Sequence, residues 1–409
     1  MTRHHEDWLK SYVDYASVTE APRLMHYWAG VSAVAGALRR KVWLDMRRFQ
    51  WVANFYIIFV APPGIVSKST TADISMDLLK AVPGIKFGPD VVTWPALVGA
   101  FAAAGESFQY LEDWHPMSPL TLVASELGNL INPQDRDMIN LYINLWDGRK
   151  TLEKVTKMSG NDTVEAPWIN MLGCTTPHWI ADNMPAATVG GGFTSRCVFV
   201  YAEKKERLVA YVDESVVGND FELRDSLIAD LEHISVNLCG PYQLLEEARV
   251  WGRAWYKDLW ERRPEGLDDD RLDGYVARKQ THMHKLAMIV AASQRDALII
   301  TEADLMMADL MLKSTEADLS KVFSRIGRSE DSLQTERFIQ YVKRRGTCPY
   351  EEAYLNIHSY FPDFRDFEGI VNGTVRSGLI AIRQVGVKIM FVYTGPKDES
   401  PDVSKSERP

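Results

Sequence analysis

The chain is poor in several things that would each have named a function. Its 409 residues include four cysteines, Cys174, Cys197, Cys239 and Cys348, with no C-x-x-C pair among them. A disulfide framework and a cysteine-built zinc site are both excluded by that scatter, and a reducing cytoplasm is the expected compartment. No run of about 18 apolar residues occurs, so no membrane span is expected. The opening MTRHHEDWLKSY lacks the apolar core of a secretory leader. Basic residues do not prevail either. Lys and Arg number 46 against 55 Asp and Glu, a net charge of −9. A protein that coats nucleic acid along its whole surface is thereby excluded, and any such contact has to come from local basic elements. No internal repeat, primase zinc motif or nuclease carboxylate cluster is present.

What remains is a chain that folds. It is 46% hydrophobic and 25% charged, long enough for two or three domains with real cores. Residues 6–45 read as helical, with apolar positions at Trp8, Tyr12, Tyr15, Leu24, Trp28, Val31 and Ala35. Four apolar runs follow: 55–60, 120–125, 167–177 and 196–203. Strands of this kind, alternating with helices, predict a three-layer α/β domain with a parallel sheet. From about 220 the spacing turns helical. Residues 333–393 read as helices followed by a two-stranded hairpin, LIAIRQVGVKIMFVY, the pattern of a winged helix. The expected division is an N-terminal helical region 1–50, an α/β core 51–218, a helical lid 219–328, a winged-helix-like domain 329–393 and a disordered tail 394–409.

The stretch FYIIFVAPPGIVSKST, residues 55–70, reads as a buried strand running into a phosphate-binding loop. The usual form is G-x-x-x-x-G-K-[ST]. Here Ala61 and Ser67 stand where glycines are usual, and one residue is added. The chemistry is nevertheless present. Pro63, Gly64 and Ser67 shape the loop, Lys68 supplies charge, Ser69 a hydroxyl for Mg²⁺, and Thr70 opens a helix whose N-terminus faces the anion. ATP and Mg²⁺ are the expected cofactors. The plain alternative, a proline-bearing turn, leaves the lysine unexplained.

Further motifs follow in the order an NTPase requires. LTLVASELGNL (120–130) ends an apolar strand in Ser125 and Glu126. Glu126 is placed to act as general base, unless the Ser-Glu pair merely caps a helix. Ser125 stands where an aspartate usually supports Mg²⁺. Thr175 and Thr176 end the next strand, as polar sensors or as ordinary turn residues before Pro177. Arg196 begins another strand behind GGG, as an arginine finger reaching a neighbouring subunit or as one half of a structural salt bridge. Between Glu126 and the sensor strand, GRKTLEKVTKMSGNDTVEAPW reads as a hairpin carrying Arg149, Lys150, Lys154 and Lys157. These would track a phosphate backbone, or be a solvated surface. The recognition helix of the winged region, DFRDFEGIVNGTVRSG, sets Arg365 and Arg376 against Asp363, Asp366 and Glu368, which suits a protein partner at least as well as DNA. His282 and His284 have no third ligand nearby and read as helix-surface histidines.

Taken together, APPGIVSKST, LTLVASE, GCTTP, GGGFTSR and RKQTHMHKLAMIV resemble a family of phage and mobile-element P-loop proteins, helicase- or primase-associated ATPases of the superfamily 3 or AAA+ kind. The resemblance covers roughly residues 25–320. It implies a RecA/AAA+-like P-loop core, with Lys68 and Ser69 on the nucleotide, Glu126 activating water and Arg196 acting in trans. It also implies Lys285 in the helical lid as a second sensor, with Arg278 as its competitor. The hairpin would project into the pore of a homo-oligomeric, hexameric ring on single-stranded or forked DNA, in the cytoplasm of a bacterial host if the chain is phage-encoded. Two other readings stay open: a switch that loads or remodels a replication protein partner, and a degenerate scaffold that binds nucleotide without turnover.

Overall fold

The structure is a computed structural model. It describes all residues except 1–2, 149–150, 157–159, 185–190, 217, 265, 324–329, 362 and 396–409, and describes 152–156, 160–163 and 330–333 by backbone alone. The chain divides into two compact units, Met1–Ile326 and Gly327–Pro409.

The first unit opens with helix α1 (Trp8–Ala16), capped by the Asp7 carboxylate, which accepts from the Lys10 amide. Helix α2 (Arg23–Leu38) is buried almost all round, and its small residues let neighbours close in. A Cβ at Gly36 would lie 2.3 Å from the Leu79 side chain. The expected helix to residue 45 stops short: Arg39 turns into positive φ, +53°. The chain then enters β1 (Val42–Asp45), antiparallel to β2 (Gln50–Val52). Val-Trp-Leu-Asp satisfies a half-buried strand, and the helical spacing before it simply ran on.

The central elements follow. They are β3 (Tyr56–Val60), α3 (Lys68–Lys80), α4 (Trp94–Ala103), β4 (Glu106–Tyr110), β5 (Asp113–Ala124), α5 (Arg136–Trp146), β6 (Thr151–Thr156), β7 (Gly160–Glu165), β8 (Pro167–Thr175), α6 (Pro177–Asn183) and β9 (Cys197–Tyr201). Five strands form one sheet in the order β4-β5-β8-β3-β9. β5, β8, β3 and β9 run parallel, and β4 is an antiparallel edge. β3 is buried at every position because both sheet faces are covered. Ile57 and Phe59 join the apolar cluster of α1, α2 and α3, while Tyr56, Ile58 and Val60 join that of α4 and α5. Alternate side chains thus feed two cores, which is why the strand reads as continuously apolar. Each such side chain contributes about 1.5–3 kcal/mol by leaving water.

The rest of the unit is α7 (Asp220–Asn237), β10 (Gly240–Leu244), α8 (Glu246–Glu261), α9 (Asp273–Gln294), β11 (Ile299–Ile300), α10 (Glu302–Glu316) and α11 (Leu319–Phe323). The region is not wholly helical as its spacing suggested. β10 and β11 complete a second sheet, β11-β10-β1-β2, built of strands too short to print a period of their own. The segments read as 1–50, 51–218 and most of 219–328 therefore share one compact unit, and α2, α7, α9 and α10 share one core with the sheet.

The second unit holds α12 (Glu330–Arg345), β12 (Thr347–Pro349), α13 (Tyr350–Ile357), α14 (Phe364–Arg376), β13 (Ile380–Val385) and β14 (Lys388–Tyr393). Its sheet has three strands, β12-β14-β13, one more than the expected hairpin. Phe338, Phe367, Ile370 and Phe391 centre its core. Among the described residues, no helix is long and apolar enough to cross a membrane.

Candidate active site

Three of the parallel strands end side by side. Val60 of β3 pairs with Thr175 of β8, and Ala124 of β5 pairs with Gly173 of β8. β8 lies between the strand that feeds the loop and the strand that carries Glu126. The loop after β3, Glu126 and Thr175 therefore share the carboxyl edge of the sheet, where ligands of open α/β sheets bind.

The loop runs from Ala61 to Ser67. Gly64 adopts φ +69°, and no atom lies within 4 Å of where its Cβ would be, so the turn needs glycine for backbone reasons and opens on free space. Pro63, Gly64, Ser67, Ser69 and Thr70 are all exposed. Helix α3 begins at Lys68, and Ser67 supplies no side-chain cap. The first-turn amides of Ser69 and Thr70 have no acceptor among the described residues, which leaves them for an anion. The Lys68 ammonium donates to the carbonyls of Ala61 at 3.0 Å and Pro62 at 3.4 Å. Burial holds it below the ordinary lysine value, while the Cys174 thiol and the Glu126 carboxylate act in the opposite sense. Cys174 itself is pushed up to about 12 by burial and stays a neutral thiol.

Glu126 is exposed at the carboxyl end of β5, and its side chain caps no helix. Its carboxylate has no hydrogen bond or ion pair among the described residues. The Thr175 hydroxyl is buried and has no partner, whereas the Thr176 hydroxyl accepts from the Trp179 amide and caps α6. Thr176 thus has the turn role, and Thr175 has an unmet hydrogen-bonding capacity at the edge. An orphaned hydroxyl, free first-turn amides, a lysine on main-chain carbonyls and an open glycine turn fit a phosphate group. Lys68, the Ser69 and Thr70 amides and Thr175 would hold it. Ser69 would offer its hydroxyl to a Mg²⁺ accompanying such a group. No cluster of three His, Cys, Asp or Glu able to hold a metal by itself occurs among the described residues.

Two residues expected at this site lie elsewhere. Lys285, on α9, is 1% exposed. Its ammonium donates to the Asn54 side-chain oxygen at 2.7 Å and the Trp146 carbonyl at 2.9 Å, and sits 3.5 Å from the Trp146 ring centre. Asn54 precedes β3, whereas the loop follows it, and roughly 20 Å of strand separates the two ends. Lys285 is therefore no second sensor for the loop of its own chain. Arg278, about two turns further back on the same face of α9, lines a cavity with Lys285 and Arg196 and is likewise no second sensor for that loop.

Arg196 is 6% exposed just before β9. Its guanidinium grips Asp147 through two bonds, Nε to Oδ1 at 2.9 Å and Nη2 to Oδ2 at 2.7 Å, and donates to the Gly192 carbonyl. In this arrangement it is one half of a structural ion pair, not a free finger. Asp147, Asn54 and Trp146 were not expected at any site. Nothing in spacing links position 147 to 196, or 54 to 285, because each pair meets only across the folded sheet. β6 and β7 pair antiparallel, Thr151 with Glu165 through Thr156 with Gly160. Lys150 and Lys157, with Arg149, lie outside the described residues, as does the side chain of Lys154. His282 and His284 are buried, not on the helix surface: His282 meets the Ser195 carbonyl and His284 that of Gln280. Compared with known protein families and with curated proteins, the chain matches none.

Proposed function

We propose that this chain is a P-loop ATPase of the AAA+ or superfamily 3 kind, hydrolysing ATP at the carboxyl edge of its central sheet. The observation that carries the reading is the convergence of Lys68, Glu126 and Thr175 from three adjacent parallel strands onto one edge, beside an open helix N-terminus. Lys68 gives the cation, and the Ser69 and Thr70 amides give directed donors. Glu126, free of other partners, orients and deprotonates water. Thr175 holds the water or the terminal phosphate through its otherwise unused hydroxyl. ATP brings a transferable phosphoryl group, and Mg²⁺ neutralises charge on it.

The test is Lys68→Ala. Loss of a charge-assisted phosphate contact of about 1.5–3 kcal/mol raises the ATP dissociation constant by roughly 10- to 150-fold. The variant should fold, because among the described residues the lysine bonds only loop carbonyls. Unchanged ATP affinity would reject the site.

A second reading concerns DNA. The β6–β7 hairpin is inserted directly ahead of β8, the strand that ends in Thr175. That placement favours a ring-forming helicase or translocase of phage-type replication, with Lys150, Lys154 and Lys157 on single-stranded or forked DNA. The second unit, three helices with a small sheet, suits a winged helix that docks DNA or a replication protein. An ATPase indifferent to single strands would favour the partner-loading switch. A chain that binds ATP without turnover would be the scaffold.

A further inference from the structure

At the amino edge of the sheet, opposite the loop, lies a cavity of about 460 Å³. Its lining carries three cationic side chains, Arg196, Arg278 and Lys285, against the single carboxylate of Asp147. That carboxylate is already taken by Arg196 through two bonds. Among the described residues the Lys285 amine bonds neutral oxygens alone and sits against the Trp146 ring. Arg278, among the described residues, bonds only the Gly274 carbonyl. Behind them Arg40 donates to the Pro167 and Gly148 carbonyls, both at 2.8 Å, again with no carboxylate. Buried cations are ordinarily paired with carboxylates, because an uncompensated charge out of water is costly. Here the cations outnumber their counterions and face a cavity. Trp51 and the exposed Phe49 also line it, their ring centres 5.5 Å apart and their planes tilted by 51°.

The geometry points to this cavity as a second anion site, which takes the phosphate of a small ligand in the chain's own fold. Arg278 offers a planar fork matched to phosphate oxygens. Lys285 offers an amine whose charged form a bound phosphate would favour. Arg196 becomes available to the extent that the ligand competes with Asp147. Burial holds the Lys285 amine well below its usual value, Asp147 raises it, and Arg196 and Arg40 lower it further. A phosphate would compensate those surrounding cations. Trp51 and Phe49 offer apolar surface to a ring attached to the phosphate. This inference does not rest on the ATPase reading, since the cavity and the loop lie at opposite ends of β3.

The test uses the full chain carrying Lys68→Ala, in which the loop no longer contributes and no neighbouring copy can present a loop-held nucleotide. Inorganic pyrophosphate is titrated by calorimetry at low salt. Binding should persist in this background. Arg278→Gln, a half-buried position, should weaken it about tenfold, the effect of one lost charge-assisted contact. Asp147→Asn, which releases Arg196 and removes the competing carboxylate, should tighten it. A tightening on removing a carboxylate is not what a merely structural role gives. Adenosine monophosphate distinguishes the sources. Binding tighter than inorganic phosphate, and lost with Trp51→Ala, assigns the site to nucleotides. Equal binding assigns it to a free phosphate ion. Disappearance of pyrophosphate binding in Lys68→Ala alone, or affinity unchanged by both Arg278→Gln and Asp147→Asn, overturns the site.

Discussion

At the carboxyl edge of the sheet, Lys68 rests on two main-chain carbonyls among exposed Ser69, Thr70 and Glu126. At the amino edge, Lys285 and Arg196 are almost fully enclosed, one on neutral oxygens and the other in a fork with Asp147. Both edges hold cations, but with different consequences. The open edge keeps its groups available, so substitutions there should change chemistry and leave the fold. The closed edge ties helices α5 and α9 to the starts of β3 and β9, so substitutions there should change stability as well. The first kind of site is read from a motif and the second only from contacts.

The largest expected effect is at the open edge. Glu126→Gln keeps the size of the side chain but not its basicity, so hydrolysis should fall about 10²- to 10⁴-fold while ATP still binds. A near-normal single-turnover rate would remove Glu126 from the chemistry.

Acid should expose the contrast next. Burial depresses His282 to about 3 and His26 and His284 to about 4, from an ordinary 6.5. Above that ordinary value both states are neutral there and stability is flat. As pH falls below it, the unfolded chain takes up protons that the folded chain refuses, and stability is lost until the folded values are passed. Three such groups give a slope of up to about 4 kcal/mol per pH unit. His282→Phe keeps a ring against Tyr275, now 5.6 Å away, and should flatten that slope by about 1.4 kcal/mol per unit. Urea midpoints between pH 7 and pH 5 that do not move would contradict the neutral burial of these rings.

Arg196→Ala should cost about 1–3 kcal/mol of stability, less than a fully enclosed pair because Asp147 is 41% exposed and water screens it. The same variant sharpens the trans reading. If Arg196 leaves Asp147 for a neighbour's phosphate, mixing Arg196→Ala with Glu126→Gln chains should restore part of the ATPase rate. If it stays with Asp147, mixing restores nothing.

The smallest effect on ATP turnover is expected at the hairpin. Charge reversal at Lys154 and Lys157 should spare basal ATPase and weaken single-strand binding, with a shallower salt dependence than the parent. Filter binding at several salt concentrations checks this. Equal binding by both proteins would send the DNA contact elsewhere.

The local half of this protein was legible from order along the chain. The apolar run 55–60, the lysine after it, the strand ending at Glu126 and the strand ending at Thr175 each carry their own signal, since a strand buried on both faces must be apolar throughout. The helical spacing runs on to residue 45 although α2 ends at Leu38, and it masks β10 and β11 further along. Strands of two to five residues become strands only when a partner supplies hydrogen bonds. Parallel neighbours such as β1 and β10 lie about 200 residues apart in sequence, a pairing that only assembly makes favourable.

The sequence by itself determined an α/β chain in which Lys68, Glu126 and Thr175 each follow or end an apolar strand. Those features depend on residues close to one another along the backbone. The tertiary structure alone decided which end of the sheet each cation occupies. Lys285 and Asn54 lie 231 residues apart along the chain, and Arg196 and Asp147 lie 49 apart, so only packing across the amino edge brings each pair together. Hydrogen-bond partners such as Asn54, Asp147 and the Trp146 carbonyl leave no periodic trace, because a buried cation needs oxygens at the right distance and not at a fixed spacing.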